Sequence, residues 1–306
     1  MEMYEAIILT IITAATPLLL AACGELVAER AGVLNLGVEG MMIMGAVAAF
    51  AVAFSTGSPY LGIAAGIAAG AAASLPFAFL TISMVTNQVA TGLALTILGL
   101  GLSGMIGDAY IGQPGVKLTP ISIEGLSDLP YVGKILFSQD VIVYASVLLL
   151  LIVWFFLFKT RAGLSLRAVG DSHSSAHALG VSVRKVRYLA VIFGGACAGL
   201  AGAYLSLVYT PQWTEGMTAG RGWIAVVLVV FATWMPGRLL AGAYLFGAVL
   251  ILQLHAQAAG VNIPSQFLSS LPYLATIIVL VLISRNRTLV KKNSPACLGK
   301  PFVPDV

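Results

Sequence analysis

Long apolar runs alternate with short polar connections along the chain. A membrane span needs roughly 17 to 25 mostly apolar residues. By that measure the predicted spans are 6–24, 36–55, 60–82, 88–107, 141–158, 188–209, 222–236, 239–257 and 268–284. The seventh run, GWIAVVLVVFATWMP, is short for a full crossing, so eight to ten helices are compatible with the pattern. The pattern predicts an all-α polytopic membrane protein with about nine transmembrane helices.

Composition supports the membrane interpretation. Of the 306 residues, 59% are hydrophobic and 9% are charged, whereas soluble globular proteins carry about 25% charged residues. We therefore expect a single transmembrane domain over residues 1–306. The net charge of +4 fits connections near an anionic inner leaflet. The sequence lacks a basic stripe interleaved with aromatic residues, so nucleic acid is not an expected partner.

The cysteines argue against a disulfide-bonded or metal-binding protein, and the first residues argue against a cleaved signal peptide. Cys23, Cys197 and Cys297 are far apart and form no CxxC or Cys/His spacing, so neither a disulfide nor a metal site is expected. The first residues, MEMYE, are acidic and lack the basic region of a signal peptide. We therefore interpret the apolar run from Ala6 as a retained span.

The positive residues separate between alternate connections. If segment 159–187 faces the cytoplasm, alternation places the following connections on the same side: 24–35, 83–87, 236–238 and 285–306. That side then holds thirteen of the sixteen Lys and Arg residues, and the other side holds Lys117, Lys134 and Arg221. Because positive residues concentrate in cytoplasmic connections, this bias predicts an N-terminus outside and a cytoplasmic tail at 285–306.

The most basic connection between predicted helices is 159–187, KTRAGLSLRAVGDSHSSAHALGVSVRKVR, which carries six of the sixteen Lys and Arg residues. Asp171 or Ser172 can cap a short helix that runs to Leu179. Gly180 follows at the position where helices commonly end on a residue with positive φ. The pattern alone also fits an ordinary basic connection.

This segment resembles a known motif. The residues LRAVGDSHSSAHALGVSV are similar to the coupling segment of bacterial ABC-importer permeases, in the family that serves branched-chain amino acids, simple sugars and nucleosides. The usual pattern is LRAVGEN followed by AAxxxGI; here Asp171 replaces the Glu, His173 stands where Pro is common, and Ser175 and Ala176 occupy the paired alanines. A second stretch, ERAGVLNLGVEGMMIMGA at 29–46, resembles the nucleoside-type members.

The resemblance implies an architecture and partners. It implies a type II ABC importer-like bundle in the bacterial inner membrane, paired with a second permease (homologous or identical), ABC ATPase subunits and an extracytoplasmic binding protein. The sequence contains no GxxxxGK[ST] motif, so MgATP would bind the ATPase and no cofactor is expected on this chain. The leading substrate is a nucleoside, followed by a simple sugar, then a branched-chain amino acid or a flavin-like vitamin. The implied ATPase-coupling residues are Asp171, Ser172, Ser175, Ala176, Leu179 and Gly180, with Ala178 beside them.

Polar residues within predicted spans are candidates for a substrate pathway, because ionisable and polar groups are costly in a membrane. The candidates are Glu39, Asn87, Gln88, Thr91, Trp223 and Gln253. Glu39 either shapes the pathway or the ATPase-side gate, or lies near the interface, hydrogen-bonded to a neighbouring helix end. A polar–aromatic entrance at the outer side is suggested by Gln253, His255 and Gln257 together with Trp223 and Tyr209. Interhelical hydrogen bonds and an interfacial aromatic belt explain the same residues equally well.

Glycine spacing predicts where helices pack most closely. Gly62, Gly66 and Gly70 recur every four positions, and 195–202 carries a similar set. Small faces of this kind allow helix backbones to approach each other. The outer connection 108–140 is rich in Gly and Pro and predicts a short hairpin or lid, with or without a role in docking a partner.

An intramembrane protease and a secondary transporter are the two alternative functional classes. Residues 101–104 read GLSG, the nucleophile signature of rhomboid proteases, and His255 could pair with Ser103. However, chance matches are expected in a chain with 33 glycines, and a six-span protease leaves the coupling-like segment unexplained. A secondary transporter would need charges embedded in the membrane for ion coupling, and Glu39 is the one firm candidate in the sequence. We therefore expect a transport subunit without catalytic residues.

Overall fold

The computed structural model describes residues 2–121, 133–258 and 293–303, together with scattered positions between 264 and 281. In these parts the protein is helical and no β-strand is assigned. Seven of the described helices are long and apolar enough to cross a membrane. The prediction of an all-α polytopic membrane protein is confirmed. Most of the predicted ninth span, 268–284, lies outside the described residues, so the count of nine is not confirmed.

The helices fall into long spans, short interfacial helices and one half-length helix. In chain order they are α1 Glu2–Arg30, α2 Val38–Thr56, α3 Pro59–Ala78, α4 Gln88–Gly107, α5 Gly133–Phe137, α6 Val141–Lys159, α7 Arg161–Asp171, α8 His173–Ala178, α9 Val183–Tyr204, α10 Arg221–Phe231 and α11 Pro236–Ala258. Single π-helical turns extend α3 over Phe79–Ser83 and α9 over Leu205–Tyr209. Of connection 108–140, which was predicted to form a short hairpin or lid, the structure describes residues 108–121 and 133–140. The backbone nitrogen of Ile121 donates to the carbonyl oxygen of Gln139 at 3.0 Å and joins these two parts.

Glycine faces join α2, α3 and α9 at the centre of the bundle. A β-carbon on Gly199 would lie 2.2 Å from the carbonyl oxygen of Gly66, and one on Gly70 would lie 2.3 Å from that of Gly195. Such distances leave no room for a side chain. The predicted small-residue packing of these helices is therefore confirmed, and it brings their backbones into direct contact.

Connections predicted to share the cytoplasmic side meet at one end of the bundle. Arg30, at the end of α1, donates to the carbonyl oxygen of Trp234 at 2.7 Å and to that of Asn293 at 3.0 Å. Arg187, near the start of α9, donates to the carbonyl oxygen of Ala31 at 3.2 Å. These bonds tie together four parts of the chain that the charge pattern places on one side.

Helix α1 is longer than the sequence predicts. The apolar run ends near residue 24, and we predicted a polar connection over 24–35, but α1 continues to Arg30. Glu25 and Glu29 are consequently buried inside the bundle. The irregular connection between α1 and α2 is reduced to residues 31–37, hereafter the α1–α2 connection.

The segment before α10 turns back into the bundle along α4. A β-carbon on Gly107, at the end of α4, would lie 2.0 Å from Nε1 of Trp213. One turn further into the bundle, a β-carbon on Gly104 would lie 3.4 Å from Oε1 of Glu215. Residues 213–222 therefore descend beside α4 from the end at which that helix finishes.

Helix α10 begins in the middle of the bundle. Its Gly222 packs against the backbone of Glu39, and the adjacent Gly40 packs against the carbonyl oxygen of Leu95 on α4. Leu95 lies twelve residues before the end of α4, a distance of about 18 Å along the helix. With 11 residues, α10 is about 16 Å long, half of a hydrocarbon core of about 30 Å. The predicted span 222–236 is therefore a half-helix.

Candidate translocation and coupling sites

The carboxylate of Glu39 caps the N-terminus of the half-helix α10. Its side chain is 3% exposed, and Oε1 accepts hydrogen bonds from Thr218 Oγ1 at 2.6 Å and from the backbone nitrogen of Gly220 at 2.8 Å. Oε2 accepts from the backbone nitrogen of Gly222 at 2.6 Å. Because a helix N-terminus carries partial positive charge, the carboxylate is stabilised there. The predicted bond to a neighbouring helix end is observed, but it lies deep in the bundle and not near the interface.

Trp223 presents an aromatic surface beside this junction. Its side chain is 43% exposed, and Nε1 donates to the carbonyl oxygen of Leu36 at 3.2 Å. This bond fixes one edge of the indole ring and leaves the rest of it accessible. Next to it, the Arg221 guanidinium lies 5.1 Å from the centre of the Tyr209 ring. The half-helix therefore begins with a charged and aromatic surface.

Segment 213–223 carries exposed polar groups at membrane depth. Glu215 is exposed, and Gly216, Ala219 and Gly220 have positive φ, so the backbone here is irregular. Irregular backbone and charged groups are tolerated within a membrane where they are buried in protein or line a water-filled space. Since Glu215 and Trp223 are exposed, this side of the bundle is the candidate translocation site.

The polar residues at the start of α4 have structural partners. Asn87 caps the helix by accepting from the backbone nitrogen of Ala90 at 3.0 Å, and Thr91 Oγ1 donates back to the carbonyl oxygen of Asn87 at 2.8 Å. Gln88 is buried and its Oε1 accepts from the backbone nitrogen of Leu34 at 2.8 Å. Asn87 and Thr91 therefore stabilise their own helix, and Gln88 holds the α1–α2 connection.

A polar cavity of about 200 Å³ adjoins these residues. It is lined by Val85, Thr86, Asn87, Gln88, Val89, Gly299 and Pro301. Its lining joins the start of α4 to segment 293–303, so it lies at the end of the bundle where the predicted cytoplasmic connections meet.

Gln253 belongs to a different part of the bundle from Trp223. It is buried on α11, which packs along α1: a β-carbon on Gly247 would lie 3.1 Å from the backbone nitrogen of Ala15. Trp223 instead contacts Leu36 at the start of α2. Because α10 begins inside the bundle and not at its outer end, Trp223 lies deeper than predicted, and Tyr209 lies beside Arg221. The grouping of Trp223, Tyr209, Gln253 and His255 into one entrance stays a prediction.

The serine and histidine of the protease alternative are not paired. Ser103 Oγ donates to the carbonyl oxygen of Leu100 at 3.0 Å, within α4. His255 Nδ1 lies 3.0 Å from the carbonyl oxygen of Ile251, within α11. Helix α4 packs mainly on α2, and α11 packs mainly on α1. Each side chain bonds to its own helix, as polar residues in membrane helices commonly do.

Glu25 and Glu29 are buried acids that the sequence analysis missed. Glu25 Oε1 accepts from the backbone nitrogen of Asn35 at 3.1 Å, and Glu29 Oε2 accepts from Trp234 Nε1 at 2.5 Å. Glu39 is therefore not the one embedded acid, as we had expected. A signal was present: the two residues are four apart and continue one face of the first apolar helix. They attach the α1–α2 connection and the end of α10 to α1.

The predicted coupling segment contains two short helices. Helix α7 ends at the exposed Asp171, and Ser172 caps α8. Ser172 Oγ accepts from the backbone nitrogen of Ser175 at 3.4 Å and donates to Ser175 Oγ at 2.8 Å. Of the two predicted caps, Ser172 is therefore the one used. Helix α7 itself was not predicted.

The end of α8 has the predicted glycine turn. Gly180 has a φ of +83°, and its backbone nitrogen donates to the carbonyl oxygen of His177 at 2.8 Å. The backbone nitrogen of Val181 donates to the carbonyl oxygen of Ala176 at 3.0 Å. These two bonds form a Schellman motif, in which a left-handed residue satisfies the last carbonyl groups of a helix.

Helix α8 has an inner and an outer face. Leu179 is 85% exposed, and Ala178 and Ser175 are exposed near it. Ala176 is 3% exposed because it packs in a cluster with Val169, Val183 and Phe302. The outer face is open to a partner. Ala176 supports the helix from inside, and its role in coupling to the ATPase stays a prediction.

Two positive groups act on His173 at the start of α8. Partial burial, together with the charges of Arg187 and Lys300, lowers the pKa of His173. The neutral form of this side chain is therefore favoured on the inner side of the helix.

Comparison with known proteins identifies the family. Residues 7–284 match the family described as branched-chain amino acid transport system / permease component. The chain belongs to this permease family. The match confirms the resemblance seen in the coupling segment and covers all the helices of the described bundle except the first residues of α1.

Several named relatives are similar to the permease over most of their length. TsgC13 of Haloferax volcanii, provisionally named a glucose ABC transporter permease protein, is 48% identical over 88% of both chains. The guanosine ABC transporter permease protein NupQ of Bacillus subtilis is 33% identical over 97% of both chains. The nucleoside ABC transporter permease protein NupC of Lactococcus lactis is 30% identical over 91% of this chain and 92% of its own. No solved structure matches the permease.

Proposed function

We propose that this permease forms the translocation pathway of an ATP-driven ABC importer, and that its substrate is an uncharged, polyhydroxylated solute, in the first place a nucleoside. The family membership and the names of the relatives support the importer role. The bond network of Glu39 carries the inference about substrate charge. The exposed ring of Trp223 supports the preference for a nucleoside.

Glu39 disfavours an anionic substrate. In transporters with broken helices, the N-terminus of a half-helix commonly receives an anionic group of the substrate. Here the donors of Thr218, Gly220 and Gly222 are already bound to the carboxylate of Glu39. The carboxylate of a branched-chain amino acid would have to displace it and would be repelled by it. A neutral nucleoside or sugar meets no such competition.

Trp223 favours a substrate with a flat aromatic group. Its exposed indole face is held in place by the bond to Leu36. Stacking of a base on an aromatic side chain contributes about 1–3 kcal/mol and tolerates different bases. Two relatives named for guanosine or nucleosides match nearly the whole permease. Glucose is the second candidate, because the provisionally named glucose permease is 48% identical.

The outer face of α8 is the proposed contact with the ATPase. Leu179, Ala178 and Ser175 present a small, partly apolar surface at the end where the predicted cytoplasmic connections meet. Two ATPase subunits would bind MgATP, and this chain would bind no cofactor. A second permease, homologous or identical, would complete the pathway, and an extracytoplasmic binding protein would deliver the substrate.

The proposed orientation follows the charge pattern. The N-terminus lies outside the cytoplasmic membrane, and segment 285–306 and the coupling loop 159–187 lie in the cytoplasm. Binding of ATP would close the ATPase dimer, move α8, and switch the single transmembrane domain between outward and inward access. The chain would perform no bond chemistry in this cycle.

The substrate class can be tested at Trp223. In vesicles containing the whole importer, Trp223→Leu should weaken guanosine uptake about fivefold or more through a higher KM, because stacking contributes about 1–3 kcal/mol and about 1.4 kcal/mol is a factor of ten. Trp223→Phe keeps a stacking surface and should retain most uptake. If Trp223→Leu and Trp223→Phe transport guanosine equally well, the ring does not bind a base. Uptake of glucose in preference to guanosine by the unaltered importer would favour the second candidate.

A further inference from the structure

Segment 293–303 lies between the coupling helix and the α1–α2 connection. Among the described helices, α8 packs closely on α7 and α9 alone. Segment 293–303 is the further part of the described chain that contacts it. A side chain of the segment contacts α8, whereas backbone hydrogen bonds join the segment to the α1–α2 connection.

On the side of α8, Phe302 is the main contact. Its ring lies 5.3 Å from the ring of His173 and 5.3 Å from the ring of His177, in edge-to-face geometry with both. Edge-to-face aromatic pairs are favourable beyond their burial of area. Phe302 also packs on the buried Ala176. One side chain therefore contacts three positions of α8, on both of its turns.

Backbone bonds attach the segment to the end of α7 and to the α1–α2 connection. The backbone nitrogen of Cys297 donates to the carbonyl oxygen of Gly170 at 2.8 Å, and that of Gly299 donates to Gly32 at 3.2 Å. Gly32 has a φ of +85°, and a β-carbon on it would lie 3.2 Å from the carbonyl oxygen of Cys297. The segment is therefore in direct backbone contact with the α1–α2 connection.

Arg187 strengthens the same junction. Its Nε donates to the carbonyl oxygen of Ala31 at 3.2 Å, and its Nη1 donates to that of Lys300 at 3.1 Å. One buried guanidinium therefore bridges α9, segment 293–303 and the α1–α2 connection. Bonds from a charged donor are stronger than neutral ones, so the junction is expected to move as a unit.

The α1–α2 connection then reaches the candidate translocation site. The carbonyl oxygen of Leu36 accepts from Thr96 Oγ1 at 3.1 Å and from Trp223 Nε1 at 3.2 Å. Leu34 donates to Gln88. A continuous series of contacts thus runs from the coupling helix to the helices α4 and α10 that border the candidate pathway.

We propose that segment 293–303 transmits movement of α8 to the α1–α2 connection, with Phe302 as the positioning residue that couples the two. The proposal rests on the proposed function of α8 as the ATPase contact. Movement of α8 would shift the stacked Phe302, then the bonds of Cys297, Gly299 and Lys300, and finally the connection that holds Trp223.

The test uses the complete importer with its ATPase and binding protein in vesicles. Uptake and ATP hydrolysis are measured together, and their ratio is the number of substrate molecules moved per ATP. Phe302→Ala should lower this ratio about fivefold or more while hydrolysis continues, as expected for the loss of a coupling interaction between two sites. Phe302→Tyr keeps the ring contacts and should preserve the ratio. Val303→Ala, at an exposed neighbouring position, is the matched control.

An unchanged ratio in Phe302→Ala would overturn the proposal. If Phe302→Ala reduces the amount of protein in the membrane, Phe302→Leu is measured in its place, because leucine keeps an apolar side chain without the ring. A normal ratio in Phe302→Leu would overturn the proposal equally. Leu179→Arg separates this test from that of the proposed function. Normal assembly and uptake with Leu179→Arg would refute the proposed ATPase contact of α8. If Leu179→Arg prevents assembly but Phe302→Ala has a normal ratio, only the role of Phe302 is refuted.

Discussion

Oε2 of Glu39 lies 2.6 Å from the backbone nitrogen of Gly222, and this contact joins the start of α2 to the start of the half-helix α10. A β-carbon on Gly222 would lie 2.5 Å from the Cα atom of Glu39, so the two backbones touch. Glycine at this position permits the approach, and the carboxylate satisfies the donors that a helix beginning inside a membrane protein leaves open. The contact therefore fixes the geometry of the candidate pathway.

Replacing Glu39 should destabilise the protein in a graded manner. Glu39→Ala leaves three donors without an acceptor, and the loss costs about 1–3 kcal/mol for each of the two that are buried, Thr218 and Gly222. Glu39→Gln keeps one acceptor oxygen and should be less severe. Thermal unfolding in detergent is the measurement, with Glu5→Ala near the start of α1 as the control. Equal unfolding temperatures for the Ala and Gln variants at position 39 would contradict the bond network.

Gly199→Ala should prevent normal packing of α3 on α9. The new β-carbon would lie 2.2 Å from the carbonyl oxygen of Gly66, which is backbone and can move only with its helix. Gly101→Ala is the matched control, since no described atom lies within 4 Å of its β-carbon position. We expect much less folded protein for Gly199→Ala, judged by size-exclusion chromatography, and a normal yield for Gly101→Ala. Comparable yields of the two variants would argue against the glycine contact.

Gly180→Val should uncouple ATP hydrolysis from uptake while leaving the protein in the membrane. Gly180 has a φ of +83°, and a β-branched residue there costs about 1–2 kcal/mol and changes the direction in which the chain leaves α8. No described atom lies near its β-carbon position, so the effect comes from the backbone alone.

Gly57→Val is the matched control for this prediction. Gly57 has a φ of +70°, also with no described atom near its β-carbon position, but it follows α2 at the other end of the bundle. It should suffer similar strain and keep a normal ratio of uptake to hydrolysis. Equal ratios for the two variants would indicate that the turn after α8 has no special role in coupling.

Ser103→Ala should leave uptake nearly intact. The Ser103 hydroxyl bonds within its own helix, and the substitution removes one bond worth about 1 kcal/mol. Uptake and the fraction of folded protein are the measurements. A proteolytic activity that disappears in this variant would revive the enzyme hypothesis.

The sequence predicted features that depend on local pattern. Apolar runs predicted the long helices, the Gly62–Gly70 spacing predicted a face of close helix packing without its partner, and Ser172 and Gly180 predicted the two ends of α8. Each of these follows from the periodicity or the backbone preference of nearby residues.

Features that depend on tertiary contact were not predictable in this way. The burial of Glu25 and Glu29 follows from partners that come from distant parts of the chain, Asn35 and Trp234. The depth of α10 follows from the path of residues 213–222 beside α4, which leaves no periodic signal. The inner position of Ala176 results from Phe302, far away in sequence.

The central claim is that the permease carries an uncharged nucleoside or sugar and that ATP hydrolysis by a partner drives it. The most direct measurement is uptake by vesicles that contain the permease with its ATPase, second permease and binding protein, using guanosine, glucose and leucine as substrates. We expect uptake of guanosine that requires ATP, with glucose second and leucine weakest. Uptake in which leucine is preferred, or guanosine uptake that proceeds equally without ATP, would contradict it.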